Sequence, residues 1–163
     1  MLDHRDLAIL TALQADARST FADIGRRVGL APSSVHERVR KLEQLGVIRS
    51  YRAELDPEAV GLFVTALVSA TPLDARQPDD LAERLDEFPE VEDCHSVAGA
   101  ENYVLKVRTR TTTDLEDFLR RLREKASVQT RTTIVLSTPF EHRPMDASRH
   151  EPAQGDDLRS GDG

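Results

Sequence analysis

The chain has 163 residues, a formal net charge of −7, 39% hydrophobic and 4% aromatic residues, and a single cysteine, Cys94. That length holds one ordinary domain or two small ones. One cysteine excludes an internal disulfide framework, no apolar run approaches the ~20 residues of a membrane span, and the start MLDHRDLAIL has acids where a secretory leader is basic, so a cytoplasmic protein is expected. The charge is uneven. Residues 1–55 hold nine Arg or Lys against seven Asp or Glu, and residues 144–163 hold two against five. The surplus of cations therefore sits at the amino end, where a nucleic-acid surface would need it, and the acids dominate downstream.

Taken in chain order, Leu2 to Ala17 places Leu7, Ile9, Leu10 and Leu13 on one helical stripe, with Asp3 available as an N-terminal cap and Asp6 in the first turn. Thr20 can cap a second helix with Asp23 as a shortened capping box, and Phe21, Ile24 and Val28 are expected to face inward. Gly29 can take the positive φ that closes this helix, and Pro32 can open the next, since its missing N–H would be unpaired there in any case. The third helix runs from Pro32 to about Leu45, with Val35, Val39 and Leu42 as its buried stripe.

That stripe determines the outer face. Counting 100° per residue places Ser33, His36, Glu37, Arg40 and Lys41 away from the core, with Arg38 at the stripe's edge. Short hydroxyls such as Ser33 and Ser34 at the start of such a helix permit close approach to base edges, and the basic residues beyond can reach bases or phosphates. The expected DNA-contacting set is Ser33, Ser34, His36, Glu37, Arg38, Arg40 and Lys41, with His36 and Arg40 the best placed for bases. The competing reading is an ordinary solvated helix face. The run VIRSYRAEL alternates in strand fashion after Gly46 and predicts a short wing or linker strand whose Arg49 and Arg52 are either phosphate contacts or plain surface arginines.

From Leu62 the pattern becomes strand, helix, strand, strand, helix, strand. FVTALVSATP is β-rich, and DDLAERLDEFPEV turns Leu81, Leu85 and Phe88 inward. Val91 to Val97 and Tyr103 to Arg110 are two strands around the turn AGAEN. TDLEDFLRRLREKA places Leu115, Phe118, Leu119 and Leu122 on one face, and TRTTIVLST is a last strand. Two βαβ halves with both helices on one side of an antiparallel sheet give a ferredoxin-like sandwich, and the overall class is α+β. The other sheet face is expected to present valines and leucines to a second copy. The tail PMDASRHEPAQGDDLRSGDG is nearly free of large apolar groups and is expected to be disordered. His142, His150 and Glu151 do not have metal-ligand spacing. Cys94 and His95, as strand neighbours, point to opposite faces. Arg120, Arg121 and Arg123 read as a solvated face with Glu116 and Glu124 nearby.

The runs ADIGRRVGL, VHERVRKLEQLGVI, VAGAENYVLKV and TRTTIVLS, in that order, make residues 2 to 143 resemble the Lrp/AsnC family of transcriptional regulators. The resemblance implies a winged helix-turn-helix domain at residues 1–50, a linker strand or wing at 51–61, and a ligand-sensing and oligomerising domain, usually called RAM, at 62–143. The acidic tail is 144–163. It further implies dimers that assemble towards octamers, double-stranded DNA as partner, and an amino acid or similar metabolite as effector, with no other cofactor and no metal.

In the family the effector lies against the turn between the second and third strands, here Gly99, Ala100, Glu101, Asn102 and Tyr103, with Thr132 as a hydroxyl from the last strand. Gly99 suits that place because a residue without Cβ lets a carboxylate approach backbone N–H groups. Asn102 stands where many relatives carry Asp, which favours a neutral amino acid such as leucine over a cationic one unless Glu101 substitutes. The turn alone would read equally as a plain hairpin. Ala31 stands where relatives usually have a capping Ser, leaving Ser33 or Ser34 to compensate. A small ferredoxin-like enzyme finds no nucleophile, base and orienting residue at usable spacing. The remaining alternative is an oligomeric ligand-binding module whose helix-turn-helix has no DNA role.

Overall fold

The structure, a computed structural model, describes residues 2–74 and 80–145. They form two compact units, one of residues 2–53 joined by 140–145, the other Glu54–Pro139.

In the first unit three helices surround a small core: α1 (His4–Ala15), α2 (Phe21–Val28) and α3 (Pro32–Gln44). Asp3 caps α1 by accepting from the N–H groups of Arg5 (2.9 Å) and Asp6 (2.8 Å), while the Asp6 carboxylate accepts from the Asp3 N–H (3.1 Å). This closes a capping box, which pairs donors that a helix start otherwise leaves open. Ile9, Ala12, Leu13, Ile24, Val35 and Val39 are buried together, with Val28, Leu30 and Ile48 packed against them. Gly29 ends α2 with φ 69°, as its position predicts. Gly25 matters more for packing. A Cβ built there would lie 2.5 Å from the Leu30 carbonyl oxygen, so the α2–α3 turn closes only over a residue without a side chain.

Three expectations for this unit are corrected. Phe21 is not inward: it is 37% exposed, and its ring lies 5.3 Å from the His36 ring, because the first turn of α2 runs past the end of the small core. Neither Ser33 nor Ser34 compensates for Ala31, since α3 starts without a side-chain cap and the hydroxyls make no hydrogen bond among the described residues. A cap needs extended backbone, and both serines are already helical. Residues 47–63 form no strand among the described residues. The Val47 and Ile48 N–H groups are spent on the Leu42 carbonyl (2.9 and 3.2 Å), Tyr51 donates its hydroxyl to Glu43 (3.0 Å), and no neighbouring strand offers a ladder. Alternation of side chains is not enough without a partner.

The second unit is a four-stranded antiparallel sheet of β1 (Val64–Pro72), β2 (Val91–Ser96), β3 (Tyr103–Thr109) and β4 (Val128–Ile134), in the order β2-β3-β1-β4. With α4 (Leu81–Asp86) and α5 (Thr112–Ala126) this is the ferredoxin-like βαββαβ arrangement. Both helices cover one face. Ala66, Val68, Ala70, Leu105 and Val107 pack there against Leu81, Leu85, Phe88, Leu115, Phe118 and Leu122. Phe88 and Phe118 meet edge to face at 5.7 Å, a favoured aromatic geometry.

The opposite face departs from expectation. Strand alternation and register place Thr65, Leu67, Ser69, Val104, Lys106, Arg108, Arg131 and Thr133 on it, so only Leu67 and Val104 are apolar. The valines of β1 are spent on the core side. Lys106 and Arg108 lie across from Glu92 at 3.2 and 2.5 Å. Ion pairs and hydroxyls surround Leu67 and Val104 on this face.

Of the expected tail, 146–163 lies outside the described residues. Pro144 and Met145 are described, and Met145 is held to α1 by a reciprocal pair: its N–H donates to Gln14 Oε1 (2.8 Å) and its carbonyl accepts from Gln14 Nε2 (3.1 Å).

Candidate DNA interface and effector turn

The buried stripe Val35, Val39 and Leu42 rotates α3 so that Ser33, His36, Glu37, Arg40 and Lys41 are all exposed, with Ser34 half-buried beside them. Arg40 and Lys41 have no ion pair among the described residues, nor has Arg27 at the end of α2. Arg26 pairs with Asp23 and is locally neutralised. The helix thus presents two hydroxyls at its start and two uncommitted cations a turn or two later. Such a face can approach a base edge at one end and a phosphate at the other.

Arg38 has a different place. Its Nη1 lies 2.7 Å from both Asp3 Oδ2 and Asp6 Oδ1, on the cap of α1, so its charge is already balanced inside the unit. The consequence is visible at Asp3, whose carboxyl falls to about 2, first through the Asp6 N–H that it accepts and then through Arg38. Arg38 therefore ties α3 to the start of α1. The His36 ring lies beside Phe21, tilted 34° from it with centroids 5.3 Å apart. Sequence reasoning missed both arrangements. An exposed aromatic two residues before a helix-compatible Asp23 was the available sign of the second, and nothing local marked the first.

In the second unit the turn at 98–102 is closed by the Val97 N–H donating to the Asn102 carbonyl at 2.9 Å. Gly99, Ala100 and Asn102 are exposed, Glu101 and Tyr103 are half-buried, and a Cβ at Gly99 would meet nothing within 4 Å. The Glu101 carboxylate is ion-paired with Arg131 of β4. Thr132, the next residue, is registered with buried Val68 and so faces the helices. The turn is thus tied to the last strand through Arg131, on the open face, and Thr132 lies on the other side. A one-residue step in a strand exchanges faces, and the resemblance alone does not fix that step.

An open cleft of about 350 Å³ lies between α4 and β2, lined by Ala82, Asp86, Val91, Glu92, Cys94, Ser96 and Tyr103. Partial desolvation in the cleft, then the Asp86 charge, pushes the exposed Cys94 thiol up. Cys94 is registered with Leu105 and His95 with Val104, on opposite faces as expected. Among the described residues no group of three or more His, Cys, Asp or Glu is placed to hold a metal ion, and no helix is long and apolar enough to cross a membrane. Arg120 pairs with Asp117 and Glu124, and Arg121 with Asp117 and Glu90, so the α5 arginines form a neutralised surface.

A helix-turn-helix unit with an uncommitted basic helix face, joined to a separate βαββαβ sandwich, defines a two-module DNA-binding regulator. Comparison with known proteins agrees module by module: residues 2–43 match the AsnC-type helix-turn-helix domain and residues 64–145 the Lrp/AsnC ligand binding domain. The chain belongs to the Lrp/AsnC family of transcriptional regulators. It is 48% identical to the HTH-type transcriptional regulator LrpA of Mycobacterium tuberculosis over 142 residues, covering 87% of this chain and 95% of that protein. It is 36% identical to LrpC of Bacillus subtilis, over 83% of this chain and 92% of the relative. Among solved structures, the feast or famine regulatory protein from M. tuberculosis complexed with L-methionine superposes with TM-score 0.86 at 48% identity, covering 88% of this chain and 97% of that one.

Proposed function

We propose that this regulator reads double-stranded DNA through the α3 face of Ser33, Ser34, His36, Glu37, Arg40 and Lys41, with Arg38 tying α3 to the start of α1, and that a neutral amino acid bound at the turn Gly99 to Tyr103 controls it. The observation that carries the DNA half is the contrast along α3: Arg38 is consumed by Asp3 and Asp6 while Arg40 and Lys41 stay uncommitted. Cations without internal partners release counterions on meeting phosphate and so contribute directly to affinity. The effector half rests on the exposed turn, on Glu101 being already paired with Arg131, and on a relative at 48% identity that binds L-methionine. With Glu101 so engaged, Asn102 offers a second, side-chain ammonium only neutral hydrogen bonds, which suits methionine or leucine better than lysine.

An exposed turn buries a ligand only if a second chain covers it. The functional unit in this reading is therefore a cytoplasmic homo-oligomer, a dimer assembling towards an octamer, with residues 1–50 reading DNA and 62–143 sensing and assembling. Effector control is then a shift between assemblies that bind the amino acid unequally. The test is promoter-fragment binding at several salt concentrations, with and without methionine or leucine. Salt-dependent binding altered by the neutral amino acids and not by lysine is expected. Binding that ignores every amino acid sinks the effector half, and binding that ignores salt sinks the assigned DNA face.

A further inference from the structure

Both the family match and the described structure stop at Met145, yet the chain continues for residues 146–163. That continuation carries Asp146, Glu151, Asp156, Asp157 and Asp162 against Arg149 and Arg159. Its starting point is defined. Phe140 to Met145 belong to the DNA-reading unit, and the Gln14 amide holds Met145 by two hydrogen bonds, 2.8 and 3.1 Å. The acidic segment therefore emerges from α1, the helix whose other end carries the Asp3 and Asp6 partners of Arg38 in α3.

We propose that residues 146–163 act as a tethered anionic competitor that occupies the outer face of α3 when DNA is absent. This rests on the assignment of that face to DNA. Distance permits it. Gln14 is eleven residues, about 16 Å along a helix, from Asp3, which meets Arg38 of α3, whereas eighteen residues can reach up to about 60 Å. Charge favours it, since the segment is net negative and Arg40 and Lys41 have no internal counter-ion among the described residues. Tethering also gives even a weak carboxylate contact an effective concentration on the order of millimolar. DNA, with far greater charge density, displaces the segment, so its effect is to suppress weak nonspecific binding more than specific binding.

Carbodiimide coupling, which joins carboxylates directly to amines, tests the contact without DNA. The chain has only three lysines, Lys41, Lys106 and Lys125. Peptides joining the segment's acids to Lys41 within monomer-sized chains are expected, their yield falling when a short mixed-sequence duplex is added and when Gln14→Ala removes the anchor. Coupling only to Lys106 or Lys125, or a yield indifferent to Gln14→Ala, overturns the proposal. Duplex binding by the full chain with Asp146→Asn, Glu151→Gln, Asp156→Asn, Asp157→Asn and Asp162→Asn tests the consequence. Affinity should rise about 3- to 10-fold at low salt and less than about 2-fold at high salt, where the contact is screened. A second variant neutralises five exposed acids of the other unit: Glu83, Asp86, Glu87, Glu116 and Glu124. An equal rise there assigns the effect to total charge and overturns the proposal. Lys41 coupling without any duplex binding by the parent would instead indict the DNA assignment.

Discussion

Two turns, one in each unit, are built on opposite terms: the α2–α3 turn closes over Gly25, a residue inside α2, and the 98–102 turn contains Gly99. Between α2 and α3 the backbone is packed so closely that a Cβ at Gly25 would lie 2.5 Å from the Leu30 carbonyl oxygen, whereas at Gly99 a Cβ would meet nothing within 4 Å. The first turn is finished by its own chain: it sets α3, and the DNA-facing side chains follow from that. The second is left open: beyond the Val97 N–H to Asn102 carbonyl bond that closes it, its side-chain tie is an exposed pair with Arg131. A surface complete in one chain can read DNA as soon as it folds. An open turn acquires a function only from what is added to it, which is where an effector and a second copy enter the proposal.

The sharpest way to break this comparison is to put the same side chain at both glycines. Gly25→Val is expected to destabilise the first unit by about 3 kcal/mol or more, since a fixed carbonyl cannot move aside as a flexible side chain would. Gly99→Val should leave unfolding within about 0.5 kcal/mol of the parent and abolish the effector response. Thermal unfolding followed by circular dichroism measures the first, and amino-acid titration the second. Equal destabilisation at both positions would show that the second turn is closed after all.

Next in size is the loss of the two uncommitted cations. Arg40→Ala with Lys41→Ala should weaken DNA binding about 10- to 100-fold and lower the slope of log affinity against log salt by about 2, one unit per phosphate contact. Unfolding should be nearly unchanged, because both side chains are exposed and unpaired among the described residues. A double variant that binds with the parent's salt slope would move the DNA contact off this face.

What was legible in the sequence follows the same division. The stripe Val35, Val39 and Leu42 was readable because helical periodicity is local, and the buried faces of both sandwich helices were readable for the same reason. The partner of Arg38 was not, since Asp3 and Asp6 lie 35 and 32 residues away. A lone glycine inside ADIGRRV is a local sign of close packing. Phe21 fitted the apolar stripe and still lies outside, because periodicity gives a face and not the extent of the core behind it. The run VIRSYRAEL after Gly46 alternates like a strand, but a ladder is made with a partner, and none is present among the described residues. At the effector turn, the residue types were legible while the face of β4 that meets them was not. Arg131 stands there, one residue before Thr132.

That one-residue difference gives a smaller but cleaner test. Arg131→Gln frees Glu101, and because Arg131 is 76% exposed the pair is worth less than about 1 kcal/mol. Effector affinity should therefore change by no more than about 5-fold, with a shift in preference towards amino acids bearing a second ammonium, which Glu101 can then receive. Thr132→Val should alter neither affinity nor preference. Calorimetric titration with methionine and with lysine decides between them, and a larger effect at Thr132 would place the effector on the helix side of the sheet.

The smallest expected effect concerns how α3 is held, and its sign can be worked out from Asp3. The folded carboxyl sits at about 2 against an ordinary 3.8, lowered by the Asp6 N–H and by Arg38. A depressed folded value means that the stabilisation is fully present above the unfolded value and is lost as pH falls from about 4 towards 2. Asp3→Asn keeps a cap acceptor but removes the charge that meets Arg38. The variant should therefore melt a few degrees below the parent near neutral pH, with the gap closing through that acid window as the parent's own carboxyl takes up a proton. Arg38 would keep Asp6 as its remaining partner, so α3 is loosened and not released, and DNA affinity should fall only slightly. A gap independent of pH between 4 and 2 would mean that Asp3 acts through capping geometry alone, and that the angle of the DNA-reading helix is set by the core and not by the Arg38 ion pairs.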